Sequence, residues 1–497
     1  MIALKIHKTN PVFQSIAKPA FLFTILFALV LAWVSYSPVI RFLSIPFFGI
    51  WLYFMMKEGS QVFYTSLLSF YFLFILFSSY WITECLQNFI GLPMPASWLL
   101  GGLAFSFASL IHALPIFYCK RKNNFSYFPI ILTFSEYIRQ PFFWAIPWGW
   151  HAYQVIDIPI LEALLPIGGQ LLATYIVSCI ALLIAYSIYY RNFFYWFHIA
   201  CLLLIFHIFS LLSDARAGKV ESLPVHILQG NVATVEKLDP LYAWRSYEQL
   251  LQKQNEPGLN ILPEGVLYYP AKDQSLLNKL QQASLLKDSL IGVSLLYDDF
   301  SPALIGTGLA QGVYHKQNLV PFGEYIPLLR LLPTPTLDWL GVPHATAHTN
   351  TTQLSYHGIK LYPFICYEVF FTPSDKSLLR TSSILITSGE NTWYGDSIIN
   401  SQFILAARMR AIESDKPHIV ALNRGPSMII DREGQIIAQL PYDYSGTLSQ
   451  NISTENRITL YQIVPDFVIM LILVILHCSI VSGSLHEQIT RLFSRRS

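Results

Sequence analysis

The chain has 497 residues, 53% hydrophobic and only 12% charged, with a formal net charge of +2. Soluble domains carry about 25% charged residues, so this composition excludes an ordinary soluble globular protein, and the near-neutral charge argues against a nucleic-acid partner. The sequence has no Gly-Lys-Ser/Thr phosphate loop and no Cys-x-x-Cys pair.

Apolar residues are unevenly distributed. Seven blocks, near 19–36, 38–56, 61–82, 96–118, 126–146, 160–190 and 193–213, are each long enough to span a bilayer, and an eighth lies near 464–484; a span needs about 20 apolar residues. The first block is followed at once by further spans and has no clear small-residue cleavage site, so it does not read as a cleaved signal peptide. Lys5, Lys8, Lys18, Lys57, Lys120, Arg121, Lys122, Arg191, Arg491, Arg495 and Arg496 all fall on one side if every block spans, with Arg41 the main exception. Short basic loops mark the cytoplasmic face, so both termini are expected there and the polar stretch 214–460 outside, in the periplasm of a double-membrane bacterium. The expected division is an N-terminal membrane bundle over 1–213, a globular domain over 214–460, and a C-terminal span with a basic tail over 461–497.

Within the membrane half, Glu136 and Arg139 stand three apart in the fifth block, which reads as a self-satisfied pair or as groups facing a bundle interior. Trp144, Trp148, Trp150 and Tyr153 follow, as an aromatic belt or as the edge of a lipid-entry groove.

The globular stretch alternates strand and helix patterns. Strands are expected at Val225–Asn231, Asn260–Glu264, Leu290–Leu295, Ile359–Phe370 and Ser382–Thr387, with a hairpin pair at His418–Asn423 and Ser427–Ile430. Helical spacing runs over Pro240–Gln254, Ser275–Lys287 and Ser397–Ser414. This alternation predicts a layered α/β domain, whose chemistry gathers beyond strand ends. Glu264 and Cys366 both fall at such ends.

Cys366 is the only cysteine of the 214–460 stretch, so it is either a buried packing residue or a nucleophile. A nucleophilic thiol needs a base, because its ordinary pKa is about 8.5, and a buried carboxylate can serve. The oxyanion formed on attack needs a fixed positive charge or N–H donors. Glu264, Lys316 and Cys366 are the minimum set for acyl transfer through a thioester. Taken singly, Glu264 and Lys316 also read as ordinary surface charges.

Their neighbours tip that balance. The segment Tyr314-x-Lys316-x-x-Leu319-Val320-Pro321-Phe322-Gly323-Glu324-Tyr325, the triplet Cys366-Tyr367-Glu368, Gln229-Gly230-Asn231, Ala407-Arg408-Met409-Arg410-Ala411 and Thr459-x-Tyr461 together resemble the nitrilase superfamily. Within it they resemble the membrane-bound apolipoprotein N-acyltransferase family, and the likeness covers essentially the whole chain. The resemblance implies an αββα nitrilase-like sandwich set between a seven-helix N-terminal membrane bundle and one C-terminal transmembrane helix. It implies Glu264 as general base, Lys316 as oxyanion-stabilising cation and Cys366 as acyl-accepting nucleophile. Glu324, Tyr367, Glu368 and Trp393 become supporting residues, with Glu324 and Glu368 orienting Lys316. No metal or other cofactor is expected. The expected partners are a phospholipid acyl donor, most simply phosphatidylethanolamine at its sn-1 chain, and a diacylated apolipoprotein acceptor. A membrane-anchored amidohydrolase and a non-catalytic acyl-binding paralogue stay open as alternatives.

Three departures from the family pattern concern pockets rather than the triad. Leu238 replaces the usual Trp. Glu390-Asn391-Thr392-Trp393-Tyr394-Gly395 replaces Asn-Asp-x-Trp-Phe-Gly. Ser301-Pro302-Ala303-Leu304 stands near the place of a Tyr-Asn-Ser-like segment. An apolar, proline-rich arm with Pro327, Pro333, Pro335, Leu328, Leu329, Leu331, Leu332, Trp339 and Leu340 is either a mobile lipid-touching element or ordinary packing. Cys85, expected in an outer loop, is the one thiol that could compromise Cys366.

Overall fold

The computed structural model describes residues 19–57, 60–88, 91–140, 149, 151–213, 222–233, 236–238, 240–265, 267–270, 291–296, 302–321, 323–326 and 352–494, with isolated positions at 278, 282, 329, 336 and 345. Trp144, Trp148, Trp150 and nearly all of the helix expected at 275–287 and of the arm at 327–340 lie outside the described residues. The chain forms two compact units: 1–83 with 94–215 and 464–497, and 84–93 with 216–463.

In the first unit, helices occupy the apolar blocks: α1 (Pro19–Tyr36), α2 (Ser44–Lys57), α3 (Ser60–Ser79), a short α4 (Trp81–Asn88) that straddles the boundary between the units, α5 (Met94–Arg121), α6 (Phe128–Arg139), α7 (Leu165–Tyr190), α8 (Phe194–Ser213), and a C-terminal helix, Asp466–Ser494. By length and composition, α5 and α7 are each able to cross a membrane. The outer face of α5 shows why. Leu99, Leu103, Leu110 and Leu114 form an exposed stripe at helical spacing, while Phe105, Ala108, His112 and Ile116 are buried. An apolar stripe left outward suits lipid rather than water. Inside, Trp51 stacks on Phe70 with ring centroids 3.9 Å apart, and Gly49 lets α2 approach α7, where a Cβ would meet Ile184 at 2.8 Å.

The Glu136–Arg139 pair is buried and satisfied by more than itself. The Glu136 carboxylate lies 3.5 Å from Arg139 and accepts from the His151 N–H at 3.1 Å and from Thr174 Oγ1 at 2.6 Å. His151 Nδ1 is 2.6 Å away, and Arg139 Nη1 reaches His112 Nε2 at 2.6 Å. These contacts tie α5, α6, the 151–155 turn and α7 together, which meets the rule that charges at membrane depth face protein partners. Tyr153 is buried, at 2% exposure, rather than on an outward belt.

In the second unit, two seven-stranded mixed sheets form among the described residues. The strands are β1 (Ser222–Gln229), β2 (Leu259–Ile261), β3 (Leu267–Pro270), β4 (Ile291–Leu296), β5 (Pro302–Ile305), β6 (Ala310–Gln311), β7 (Val313–His315), β8 (Leu354–Tyr356), β9 (Ile359–Ile365), β10 (Ile384–Glu390), β11 (His418–Asn423), β12 (Met428–Ile430), β13 (Ile436–Gln439) and β14 (Gly446–Ser453). One sheet runs β14-β1-β2-β4-β5-β7, with β3 beside β4; the other runs β13-β12-β11-β10-β9-β8-β6. The parallel pairs β1-β2-β4 and β9-β10-β11 form the sheet cores, and β2, β10 and β11 are buried along their whole length, as expected of parallel strands covered on both faces. The expected hairpin is the antiparallel β11–β12 pair.

Helix α9 (Pro240–Lys253) covers the first sheet through Trp244, Tyr247 and Leu251 against Leu228 and Leu262. Helix α10 (Ile399–Ser414) contacts β11 and β12 of the second sheet. The sheets meet between them, where Ser388 Oγ donates to the Leu262 carbonyl at 3.1 Å and Asn423 brackets the Val232 backbone. The layers are thus helix, sheet, sheet, helix.

Candidate active site

Glu264 follows β2 after the buried Leu262 and Pro263, in a turn completed by Gly265 at φ +71°. A side chain at that φ is disfavoured, so the glycine lets the chain turn directly after the carboxylate. Lys316 follows β7 and is 1% exposed; its N–H donates to the Pro302 carbonyl at 2.9 Å. Lys316 Nζ lies 3.6 Å from Glu264 Oε1 and 2.5 Å from Glu324 Oε1. The other Glu324 oxygen accepts the Val320 N–H at 2.7 Å, so Glu324 fixes both the ammonium and the loop that carries it. The Cys366 thiol is buried and hydrogen-bonded to the Glu264 carboxylate. Glu264, Lys316, Cys366 and Glu324 therefore form one cluster.

The local geometry at Cys366 corrects the sequence expectation. The strand expected to run through Phe370 stops at Ile365, and Cys366 opens a 3-10 turn, Cys366–Phe370. Its φ of +49° breaks the extended run and lies in the left-handed region that costs a non-glycine residue about 1–2 kcal/mol. Glu368 holds the turn by accepting the Ile365 N–H at 2.8 Å, as a carboxylate three residues into a helix caps its start. Gly389 of β10 lies alongside, where a Cβ would sit 3.5 Å from Cys366 Cα.

Glu368 differs from expectation in what it touches. It reaches the loop of Lys316 through the backbone, accepting from the Gln317 and Asn318 N–H groups at 2.6 and 3.0 Å and from the Tyr314 hydroxyl at 3.0 and 3.1 Å. It thereby fastens the Cys366 turn to the Lys316 loop. Tyr367 is buried with its ring edge-on to Phe371 at 4.8 Å. Trp393 is half-buried, and its carbonyl has a long, 3.5 Å contact from Asn88 Nδ2 of α4. Cys85 also lies in α4, a helix rather than a loop.

Sequence reasoning missed Tyr394. It is buried, and its hydroxyl is hydrogen-bonded to the Cys366 thiol. The signal was present in the motif, because the family's usual residue there is Phe and this chain adds a hydroxyl. Lys237 was also missed; it is buried in the 3-10 turn Glu236–Leu238.

The electrostatics follow from burial and mixed charge. Burial pushes the Glu264 carboxyl above its ordinary value, Lys316 pulls it down and Glu324 pushes it up. Burial, then the Glu264 charge, raise the Cys366 thiol well above its ordinary value, against Lys316. Burial opposes the Lys316 ammonium, but Glu264 and Glu324 outweigh it and raise its pKa. The resting site thus holds a protonated thiol beside the Glu264 carboxyl and a charged lysine. Proton transfer from sulfur to Glu264 as the sulfur attacks, with Lys316 near the developing oxyanion, is the chemistry this arrangement can perform.

Two family models match the two units. Residues 27–185 match the apolipoprotein N-acyltransferase N-terminal domain and residues 303–460 match carbon–nitrogen hydrolase. That pairing defines the class, a membrane-helix unit joined to a carbon–nitrogen hydrolase unit. Three proteins carrying the name apolipoprotein N-acyltransferase extend the match. The one from Pseudomonas paraeruginosa is 30% identical over 77% of this chain and 80% of its own length. The one from Haemophilus ducreyi is 29% identical over the same shares, and the one from Haemophilus influenzae is 27% identical over 81% and 84%. The chain belongs to the apolipoprotein N-acyltransferase family, and it is an acyltransferase that N-acylates lipoproteins.

Proposed function

We propose that this chain takes a fatty acyl group from a membrane phospholipid onto Cys366 and passes it to the N-terminal amine of an S-diacylglyceryl-cysteine. The observation that carries the reading is the buried thiol of Cys366 hydrogen-bonded to Glu264, whose carboxylate is 3.6 Å from Lys316. In the first half-reaction the Cys366 proton moves to Glu264 while the sulfur attacks an ester carbonyl, most simply the sn-1 ester of phosphatidylethanolamine. Lys316 stabilises the oxyanion. The carbon–oxygen bond to the lysophospholipid breaks, Glu264 returns the proton to that oxygen, and a thioester remains. In the second, the unprotonated lipoprotein amine attacks the thioester and gives its proton to Glu264. The carbon–sulfur bond breaks, and the proton returns to the sulfur. The acceptor amine has an ordinary pKa of about 7.7–8.0, so enough is unprotonated near neutrality.

Both substrates are lipids, which is the reason for membrane helices on either side of the catalytic unit. In this reading seven N-terminal spans and one C-terminal span hold the protein in the bacterial inner membrane, with 214–460 in the periplasm. The test is Cys366→Ser assayed with a diacylated lipopeptide and phospholipid. N-acylation is lost; retained activity in that variant sinks the proposal.

A further inference from the structure

The short segment between β14 and the C-terminal helix is turned inside out for a surface in water. Ile458, Leu460 and Ile463 are 54%, 51% and 54% exposed, while Thr459, Tyr461 and Gln462 are buried. Ile458 and Leu460 stand either side of the inward Thr459, and Leu460 and Ile463 are three apart in the one-turn helix Leu460–Ile463, so the three apolar side chains share a face. The buried residues are tied down. Thr459 Oγ1 donates to the Glu413 carbonyl at 2.8 Å and Gln462 Nε2 to the Ser414 carbonyl at 2.5 Å, which satisfies carbonyls that the end of α10 leaves open. Lys376 Nζ donates to the Tyr461 carbonyl at 2.9 Å and lies 3.9 Å from the centre of the Tyr461 ring. The outward apolar face is therefore held in place from behind.

Two observations say what covers this face. Ile463 is the last residue of the second unit, and the apolar helix Asp466–Ser494 begins three residues later. Phe467, Leu471 and Ile472 of that helix are exposed as well, so outward apolar residues continue along the chain from the second unit into the segment read here as the C-terminal span. The patch is also small. Three apolar side chains fall far short of the roughly 20–30 residues a side that a stable protein interface uses. At a bilayer surface, apolar side chains need only sink about 5–10 Å into the boundary of headgroups and acyl chains.

We infer that Ile458, Leu460 and Ile463 are a foot on which the catalytic unit rests in the headgroup layer of the bilayer. The inference rests on the proposed C-terminal span. One helix ties the foot to the site: α10 holds Thr459 and Gln462 at its C-terminal end and packs Phe403 against Phe370 of the Cys366 turn, with ring centroids 4.8 Å apart. In the proposed reaction both substrates come from the bilayer, so a fixed depth of the foot fixes how far their ester and amine must rise to meet Cys366.

The test places the photo-cross-linker p-benzoylphenylalanine at Leu460, Ile463, Leu471 or Gln450, one position at a time, in the full-length chain in phosphatidylethanolamine–phosphatidylglycerol nanodiscs. Adducts are read by peptide mass spectrometry. Leu471 reports on the C-terminal span, and Gln450, an exposed polar position of β14, on the water-facing surface. Lipid adducts are expected at Leu460, Ile463 and Leu471 and not at Gln450. Lipid at Leu471 with none at Leu460 or Ile463, or a protein adduct there in place of lipid, overturns the foot and leaves the span standing. Lipid at none of the three overturns the span and the foot with it, and lipid at Gln450 to the same extent as at Leu460 overturns the foot as a distinct surface. The double variant Leu460→Ser/Ile463→Ser supplies the functional readout. Its N-acylation rate falls in nanodiscs and holds in detergent micelles, where no bilayer sets a depth; an unchanged ratio of the two rates overturns the depth-setting role.

Discussion

Cys366, the proposed nucleophile, is held in a conformation that a cysteine adopts at a cost, φ +49°, with the Glu264 carboxyl and the Tyr394 hydroxyl both acting on its thiol. The carboxylate does not ionise the thiol at rest, because burial and the Glu264 charge both raise the thiol. In the proposed mechanism the Tyr394 hydroxyl, which interacts with the Cys366 thiol, would stabilise the sulfur as negative charge builds on it. A hydrogen bond of this kind is worth about 1 kcal/mol, and about 1.4 kcal/mol is tenfold in rate. Tyr394→Phe is therefore expected to slow acylation of Cys366 roughly fivefold, measured as the single-turnover rate with a labelled phospholipid. An unchanged or faster rate contradicts this role for the hydroxyl.

At the scale of elements, the site is an agreement between two loops, and Glu368 enforces it. Its carboxyl is buried between the Cys366 turn and the Lys316 loop. Burial raises it to about 7, against the pull of the Ile365, Asn318 and Gln317 N–H groups and the Lys316 charge. A carboxyl raised in the folded state stabilises fully below its unfolded pKa, near 4.5, and that contribution is lost as pH rises through about 7. Over that window it amounts to about 3 kcal/mol. Glu368→Gln should thus be less stable than wild type at pH 4.5, with the gap closing by pH 8, as followed by thermal melting in detergent. A gap that stays constant or widens with pH contradicts the assignment.

Much of this arrangement was legible in the sequence. Lys316 and Glu324 sit in one distinctive motif, Cys366 is the only cysteine of the 214–460 stretch, and Glu264 closes an apolar run. The turn at Cys366 was not legible, because Phe364 to Phe370 is apolar but for Glu368 and reads as a strand; the break comes from the positive φ of Cys366 and the Glu368 contact with the Ile365 N–H. Lys237 was not legible either, and Tyr394 was legible only as a hydroxyl added to the motif. The contact of Lys237 with Glu390 is tertiary, and Glu390 appeared as a departure from the family until Lys237 was found beside it.

At the scale of the whole molecule, the two units answer different demands. The first turns Leu99, Leu103, Leu110 and Leu114 outward and keeps Glu136, Arg139 and His112 inside, the pattern of a unit solvated by lipid. The second buries Arg410 against Glu413 at 2.8 Å and anchors Thr459 and Gln462 to the Glu413 and Ser414 carbonyls at 2.8 and 2.5 Å. That fixes the chain just before the C-terminal helix. The proposed topology predicts that protease added to spheroplasts cleaves within 214–460, while inside-out vesicles protect it; the reverse pattern contradicts it. The central claim is that Cys366 carries the acyl group. Its most direct test is intact and peptide mass spectrometry of the purified protein after incubation with phospholipid, followed by a chase with diacylated lipopeptide. The account predicts a mass increase of one acyl chain on the Cys366 peptide that disappears as the lipopeptide gains it. N-acylated lipopeptide formed with no acyl group ever found on Cys366 would contradict it.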